Sequence, residues 1–254
     1  MQQAGLAVKF AMNMIRLLLF LLLLLRGTST ADRVIVIDAG HGGAKPSGSQ
    51  AARTLSSDNN AISPGGLKEK DITLELAQLV IAKVNAKKAG LRAVPTRTAD
   101  VNPDFAQRAA VAAETKAAWF LSIHFNAVPR GAKKMSGTLG LVQMKSKNAN
   151  YTADAAFAAS LTAAANGAIR PLLPDSRALP VMDDRGLHGG QGSNLFHQLR
   201  AQCKQPITAC FLEVEFMDNP AVEKALLGQN RAAAFDSIAA ALADAIVRAM
   251  PAGE

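Results

Sequence analysis

Val34 to Ile37 are four successive β-branched residues, a pattern that suits a short strand buried on both faces of a sheet. Comparable apolar runs lie at Leu91–Pro95, Trp119–Ile123 and Ile207–Val214. Lys133–Met144 alternates loosely, contains Gly137 and Gly140, and reads as a further strand. Between these runs the spacing becomes helical. Ile72, Leu76, Leu79, Val80 and Val84 recur on one face of a helix over about Lys68–Ala89, which Gly90 ends. Further helices are predicted at Phe105–Lys116, Ala153–Ile169 (stopped by Pro171), Asn194–Gln202, Pro220–Leu227 and Asn230–Met250. Ala44–Gly66 is rich in Gly, Ser, Asn, Asp and Pro and reads as a long surface loop, and Leu172–Gly192 is mostly loop. Strands alternating with helices predict an α/β fold: one domain, with a mostly parallel twisted sheet flanked by helices on both faces. No internal repeat and no second domain is visible in the sequence.

The front of the chain has a different character. Lys9 and Arg16 are followed by the apolar run Leu17–Leu25, and Ser29 and Ala31 give small residues at the spacing of a cleavage site. Residues 1–31 therefore read as a signal peptide cut near Ala31, which makes the protein periplasmic or secreted. An uncleaved anchor over Phe10–Leu25 is the alternative, but that run contains Arg16 and is closed by Arg26. With the leader cleaved, no stable membrane partner is expected. Met14 offers a second start, since MIR and the leucines after it already form a complete leader.

Composition adds three constraints. Of 254 residues 49% are hydrophobic and only 5% aromatic, with much alanine, which favours helices packed closely on a sheet. Removing Lys9, Arg16 and Arg26 with the leader lowers the formal charge from +8 to +5. That is compatible with an acidic polymer as partner, but no basic stripe with interleaved aromatics points to nucleic acid. Cys203 and Cys210 are the two cysteines; in an exported protein they form a disulfide or stay as two buried thiols.

The candidate chemistry collects at strand ends. The first strand runs into DAGHGG, which places His41 on a tight glycine loop three residues after Asp38. WFLSIHFNA ends in His124, the last strand carries Glu213 and Glu215, and Glu69 opens the first helix within GLKEKD. Two histidines and a carboxylate are a common catalytic zinc set, and a second carboxylate nearby can serve as acid and base. HExxH, GxSxG, P-loop and GxGxxG motifs are absent, so any site assembles from distant segments. Singly, each element is ordinary: Glu69 in a first helical turn is favoured by the helix dipole alone.

Taken in order, DAGHGG, GLKEKDITLELA, TR, FLSIHFNA and FLEVEFMDNPAVEKAL resemble the zinc-dependent N-acetylmuramoyl-L-alanine amidases of the cell-wall type, from about Val34 to Leu242. The resemblance implies a Zn²⁺ site at His41, Glu69 and His124, a catalytic Glu213, and Arg97 in a structural or substrate-near role. It makes residues 32–254 a zinc amidase catalytic domain whose partner and substrate is peptidoglycan. The implied reaction hydrolyses the amide between N-acetylmuramic acid and the L-alanine of the stem peptide. Two other readings use the same residues: a zinc peptidase acting within the stem peptide, and a non-catalytic peptidoglycan-binding protein on an amidase fold. Three departures stand out. Glu215 replaces the family's glycine two residues after the catalytic glutamate, and on a regular strand it would share a face with Glu213. Phe125 replaces a small residue after the SIH histidine. The loop from His41 to Glu69 is long. Glu215 and His188, in the glycine-rich DRGLHGGQGSN, are candidate substrate contacts; His197 reads as structural. The Ala153–Ile169 helix reads as a packing helix, not a self-inhibitory plug.

Overall fold

A computed structural model describes residues 33–43, 61–87, 90–128, 134–186 and 190–250. The expected leader, over residues 1–31, lies outside the described residues, as do most of the long loop after His41 and His188 itself. The strands are β1 (Arg33–Ala39), β2 (Leu91–Pro95), β3 (Trp119–Asn126), β4 (Leu139–Val142), β5 (Met182–Asp183) and β6 (Thr208–Phe216). They form one sheet in the order β2-β1-β3-β6-β4-β5. β2, β1, β3 and β6 run parallel, β4 is antiparallel to β6, and β5 pairs parallel with β4. The sheet is thus mostly parallel, as the alternation of elements implied. The principal helices are α1 (Glu69–Ala86), α2 (Phe105–Glu114), α3 (Tyr151–Ile169), α4 (Asn194–Gln202) and α5 (Arg231–Ala249).

Strand alternation sorts the core into two layers. Ile35, Ile37, Leu121, Ile123, Cys210, Leu212 and Val214 face α1, α3 and α5, whose Leu76, Leu161, Phe235 and Leu242 complete the larger cluster. Val34, Val36, Phe120, Ala209 and Phe211 face the shorter α2 and α4, with Ala109, Ala112, Phe196 and Leu199 in the smaller one. Helix α3 is therefore a core helix, which agrees with the packing role read from its sequence. Helix α2 opens on a capping box: Gln107 N donates to the Asp104 carboxylate at 2.7 Å, and Asp104 N donates to the Gln107 side chain at 2.8 Å.

Three elements differ from the sequence pattern. β3 continues past its apolar run, so His124 is a strand residue, as Glu213 of β6 was expected to be. The polar side chains on the site face break the apolar pattern while the backbone ladder goes on. β5 lies inside the expected loop, since two residues are too few to show a period. Pro220–Val222 is a single helical turn that passes into a π-helical turn, Glu223–Leu227. Cys203 and Cys210 are free thiols; Cys210 sits in the larger cluster and Cys203 packs against the smaller one across the sheet.

Candidate active site

The polar site residues lie at the carboxyl ends of β1, β3 and β6, on the side of the sheet that carries α2 and α4. Alternation along β1 sends Asp38 to this face, and along β3 it sends Ser122 and His124. Glu69 arrives from above at the first position of α1, where its backbone N–H donates to Ala61 O at 2.9 Å. Its carboxylate joins the two histidines. His41 Nε2 lies 3.0 Å from Glu69 Oε2, and His124 Nδ1 lies 3.0 Å from Oε1. The backbone amides of Ala61 and Phe125 also donate to that carboxylate, each at 3.0 Å. Burial alone would raise the pKa of Glu69, but the hydrogen bonds from His124 and His41 outweigh it and bring the group to about 2. One donor atom from each of His41, Glu69 and His124 falls within 4.8 Å of the others. Two imidazoles and one carboxylate so spaced fit a shared zinc ion with bonds of about 2 Å and a remaining open position.

Each histidine of the cluster is held by a distinct physical device. His41 has φ +58°, a left-handed conformation that costs a residue with a Cβ about 1–2 kcal/mol. Buried guanidinium groups restrain the loop that adopts it. Arg108 donates to Ala39 O at 2.8 Å and to His41 O at 2.7 Å, and Arg97 donates to Ala39 O at 3.0 Å and to Gly40 O at 2.9 Å. The Arg108 charge is balanced by Asp38, 2.6 Å away, which also accepts from Thr96 at 2.5 Å and Ser122 at 2.6 Å. Burial works to protonate Asp38, but Arg108 and these hydroxyls hold its pKa below the ordinary value. His124 rests between a glycine and an aromatic ring. A Cβ at Gly40 would come within 2.4 Å of its imidazole, and its ring lies 5.5 Å from that of Phe211, which stacks on Phe196.

Glu213 stands opposite His124 in the β3–β6 ladder. Its Oε2 is shielded from solvent and has no hydrogen-bond partner. Burial raises its pKa to about 7; the nearby His124 pulls the value down and the Glu69 charge pushes it up. A carboxyl group so tuned is matched to taking and returning a proton near neutral pH.

The remaining candidates separate. Arg97 is buried and also donates to Lys70 O at 2.7 Å and Ala99 O at 3.1 Å, so its guanidinium binds backbone carbonyls around the glycine loop. Burial, and secondarily the charge of Arg108, lowers its pKa to about 10. The chain bulges after Glu213, with Phe216 rather than Glu215 opposite Asn126, and the Glu215 carboxylate is taken up by Ser136, Gly137 and Ser176. Gly42 and Gly43 serve packing: a Cβ on Gly42 would lie 2.0 Å from Val101 O, and one on Gly43 3.0 Å from Asn102 Cβ. Gly40, and neither of them, is the glycine that stands against the donor cluster. Sequence reasoning missed Arg108. Its one signal was a charged residue on the same helical face as the buried Ala109 and Ala112.

A mostly parallel α/β sheet with two imidazoles and a carboxylate converging at its carboxyl edge, beside a carboxyl group with a shielded oxygen, is an arrangement that can hold a metal ion and serve a hydrolase. The chain belongs to the N-acetylmuramoyl-L-alanine amidase family Amidase_3, which matches residues 35–248. It is 30% identical over 227 residues to N-acetylmuramoyl-L-alanine amidase AmiC of Neisseria meningitidis serogroup B, a match covering 81% of this chain and 50% of AmiC. The chain thus spans about half the length of that relative. The catalytic domain of CwlV, an N-acetylmuramoyl-L-alanine amidase from Bacillus (Paenibacillus) polymyxa var. colistinus, is 28% identical with a TM-score of 0.56, covering 85% of this chain and 97% of that one. The fold is also shared with amidase AmiC2 of Nostoc punctiforme, at 24% identity and a TM-score of 0.59, over 85% and 96% of the two chains.

Proposed function

We propose that this chain is a zinc-dependent peptidoglycan hydrolase that cleaves the amide between N-acetylmuramic acid and the L-alanine of the stem peptide. The observation that carries this reading is Glu213, whose unpartnered buried oxygen lies beside a three-donor cluster. His41, Glu69 and His124 would hold the ion. A zinc ion bound there supplies Lewis acidity, polarising the scissile carbonyl and acidifying the attacking water. Glu213 accepts a proton from that water as its oxygen attacks the lactyl carbonyl carbon. The same carboxyl then returns the proton to the amine nitrogen of L-alanine as the C–N bond breaks. Arg97, Arg108 and Asp38 take no part in proton movement; they hold the loop that presents His41.

Export through residues 1–31 belongs to the same reading, since the substrate lies outside the cytoplasm. The leucine run and the small residues after it support this. No described helix is long and apolar enough to cross a membrane. The intact mass of the secreted protein tests it: a product beginning near Asp32 is expected, and a full-length product retained in the membrane overturns the cleavage.

The reaction is tested by mass spectrometry of purified muropeptides after digestion by the zinc-loaded protein. Release of intact stem peptides with a free L-alanine amine, together with unmodified glycan, is expected. Cleavage between stem-peptide residues would instead make the protein a zinc peptidase. Binding without cleavage would make it a peptidoglycan-binding protein, a reading at odds with a complete ligand set and an intact acid.

A further inference from the structure

Glu215 is completely buried, yet it does not enter the donor cluster two residues away. Its Oε1 accepts from Ser136 Oγ at 3.0 Å and from Ser176 Oγ, and its Oε2 accepts from Gly137 N at 2.9 Å and Phe216 N at 2.9 Å. Three segments meet at one carboxylate. The first is the end of β6, the second is residues 134–138 leading into β4, and the third is the stretch around Ser176. Ser176 is itself held by Asn166 of α3 at 2.8 Å.

The sheet register locates residues 134–138. Leu139 pairs with Glu213 in the antiparallel β4–β6 ladder, so the residues before Leu139 continue beyond Glu213 at the carboxyl edge of the sheet. They form a strap beside the end of β6, at the edge of the sheet where the donor cluster also lies. The far end of β6 ties it down at two more points: Lys134 Nζ donates to Asp218 at 2.5 Å, and Asn219 Nδ2 donates to Met135 O at 2.8 Å. Between these ties Met135 is 46% exposed, an uncovered apolar side chain on the strap. Glu213 needs no such help, because it is paired on both sides, with His124 and with Leu139.

We propose that Glu215 is a positioning residue for substrate binding, holding the 134–138 strap as the wall of the site with Met135 presented on it. This rests on the amidase reading for its substrate. The role is carried by hydrogen-bond acceptance and not by proton transfer, and that distinction makes it testable. In Glu215→Gln the amide oxygen can take the Oε2 place and accept from Gly137 N and Phe216 N. Its NH₂ can then donate to the two serine hydroxyls, which accept as readily as they donate. Glu215→Ala leaves all four donors without their acceptor.

The test uses the full zinc-loaded chain and muropeptide substrate. Glu215→Ala should raise KM about tenfold while kcat and zinc content stay near wild type, the signature of binding lost without lost chemistry. Glu215→Gln should restore KM. Ser136→Ala, a milder change should Glu215→Ala fold poorly, should raise KM in the same direction by less. Hydrogen exchange read at the Gly137 amide should quicken in Glu215→Ala and stay slow in Glu215→Gln, whatever the substrate proves to be. An unchanged KM with lowered kcat in Glu215→Ala, loss of turnover in Glu215→Gln, or unaltered exchange at Gly137 would each overturn the proposal. Failure of the wild-type protein to release stem peptides would instead sink the amidase reading, and the exchange experiment would still decide the strap.

Discussion

Glu213 and His124 face each other across the β3–β6 ladder at the last regular pair before β6 bulges. On the proposed reading, the pairing sets the proton acceptor beside a metal ligand through the backbone ladder. Neither side chain has to find the other through a flexible loop. Glu213→Gln keeps the volume and removes the basic oxygen. Turnover of muropeptides should fall by about 10²–10⁴-fold with zinc content unchanged. Metal analysis of the same preparation separates this outcome from loss of the ion.

Substituting a donor should have the opposite signature. His124→Ala leaves His41 and Glu69 with no third ligand, so both zinc content and activity should drop together. Competition with a chromogenic chelator measures the affinity directly, and outer changes near metal sites already cost about 10–100-fold. A His124→Ala protein holding one zinc at wild-type affinity would remove His124 from the ligand set.

Much of this was legible in the sequence, and for a physical reason. Strands buried on both faces are apolar runs, so β1, β3 and β6 announce themselves, and polar groups of the site stand at their carboxyl ends. What stayed hidden depends on contacts distant in sequence. The Asp38–Arg108 pair joins residues 70 apart, and nothing local to Arg108 names its partner. Glu213 and Glu215 should share a face by alternation, and only the bulge, a feature of pairing, sends them to different tasks.

Gly40 should be as intolerant of change as the three donor residues. A methyl group there would enter the His124 ring. Gly40→Ala should lower thermal stability by about 1–3 kcal/mol, the usual cost of overpacking, and weaken zinc binding as His124 is displaced. Gly66→Ala offers a comparison, since its Cβ meets nothing within 4 Å even though its φ is +89°. Calorimetry and chelator competition on both variants should show backbone strain alone in Gly66→Ala and lost metal only in Gly40→Ala.

Asp38 ties stability to pH. Its pKa is depressed in the folded protein below the 3.8 of an unperturbed group. The contribution is therefore complete above that value and is lost as pH falls from it through the lower folded value. Asp38→Asn strands the buried Arg108 charge and should cost about 3–5 kcal/mol at neutral pH. Urea unfolding from about pH 6 to about pH 3 should show a shallower decline in the variant than in the parent chain. Parallel slopes would mean that Asp38 is not the group being titrated.

Cys203 and Cys210 lie on opposite sides of the sheet, and burial raises the pKa of both thiols. A β-sheet is thus a permanent partition between them, and neither is a ready thiolate. Folding of this domain forms no disulfide between them: no oxidase has to join the thiols and no isomerase has to correct them. The fold therefore places no demand on the redox poise through this pair of thiols.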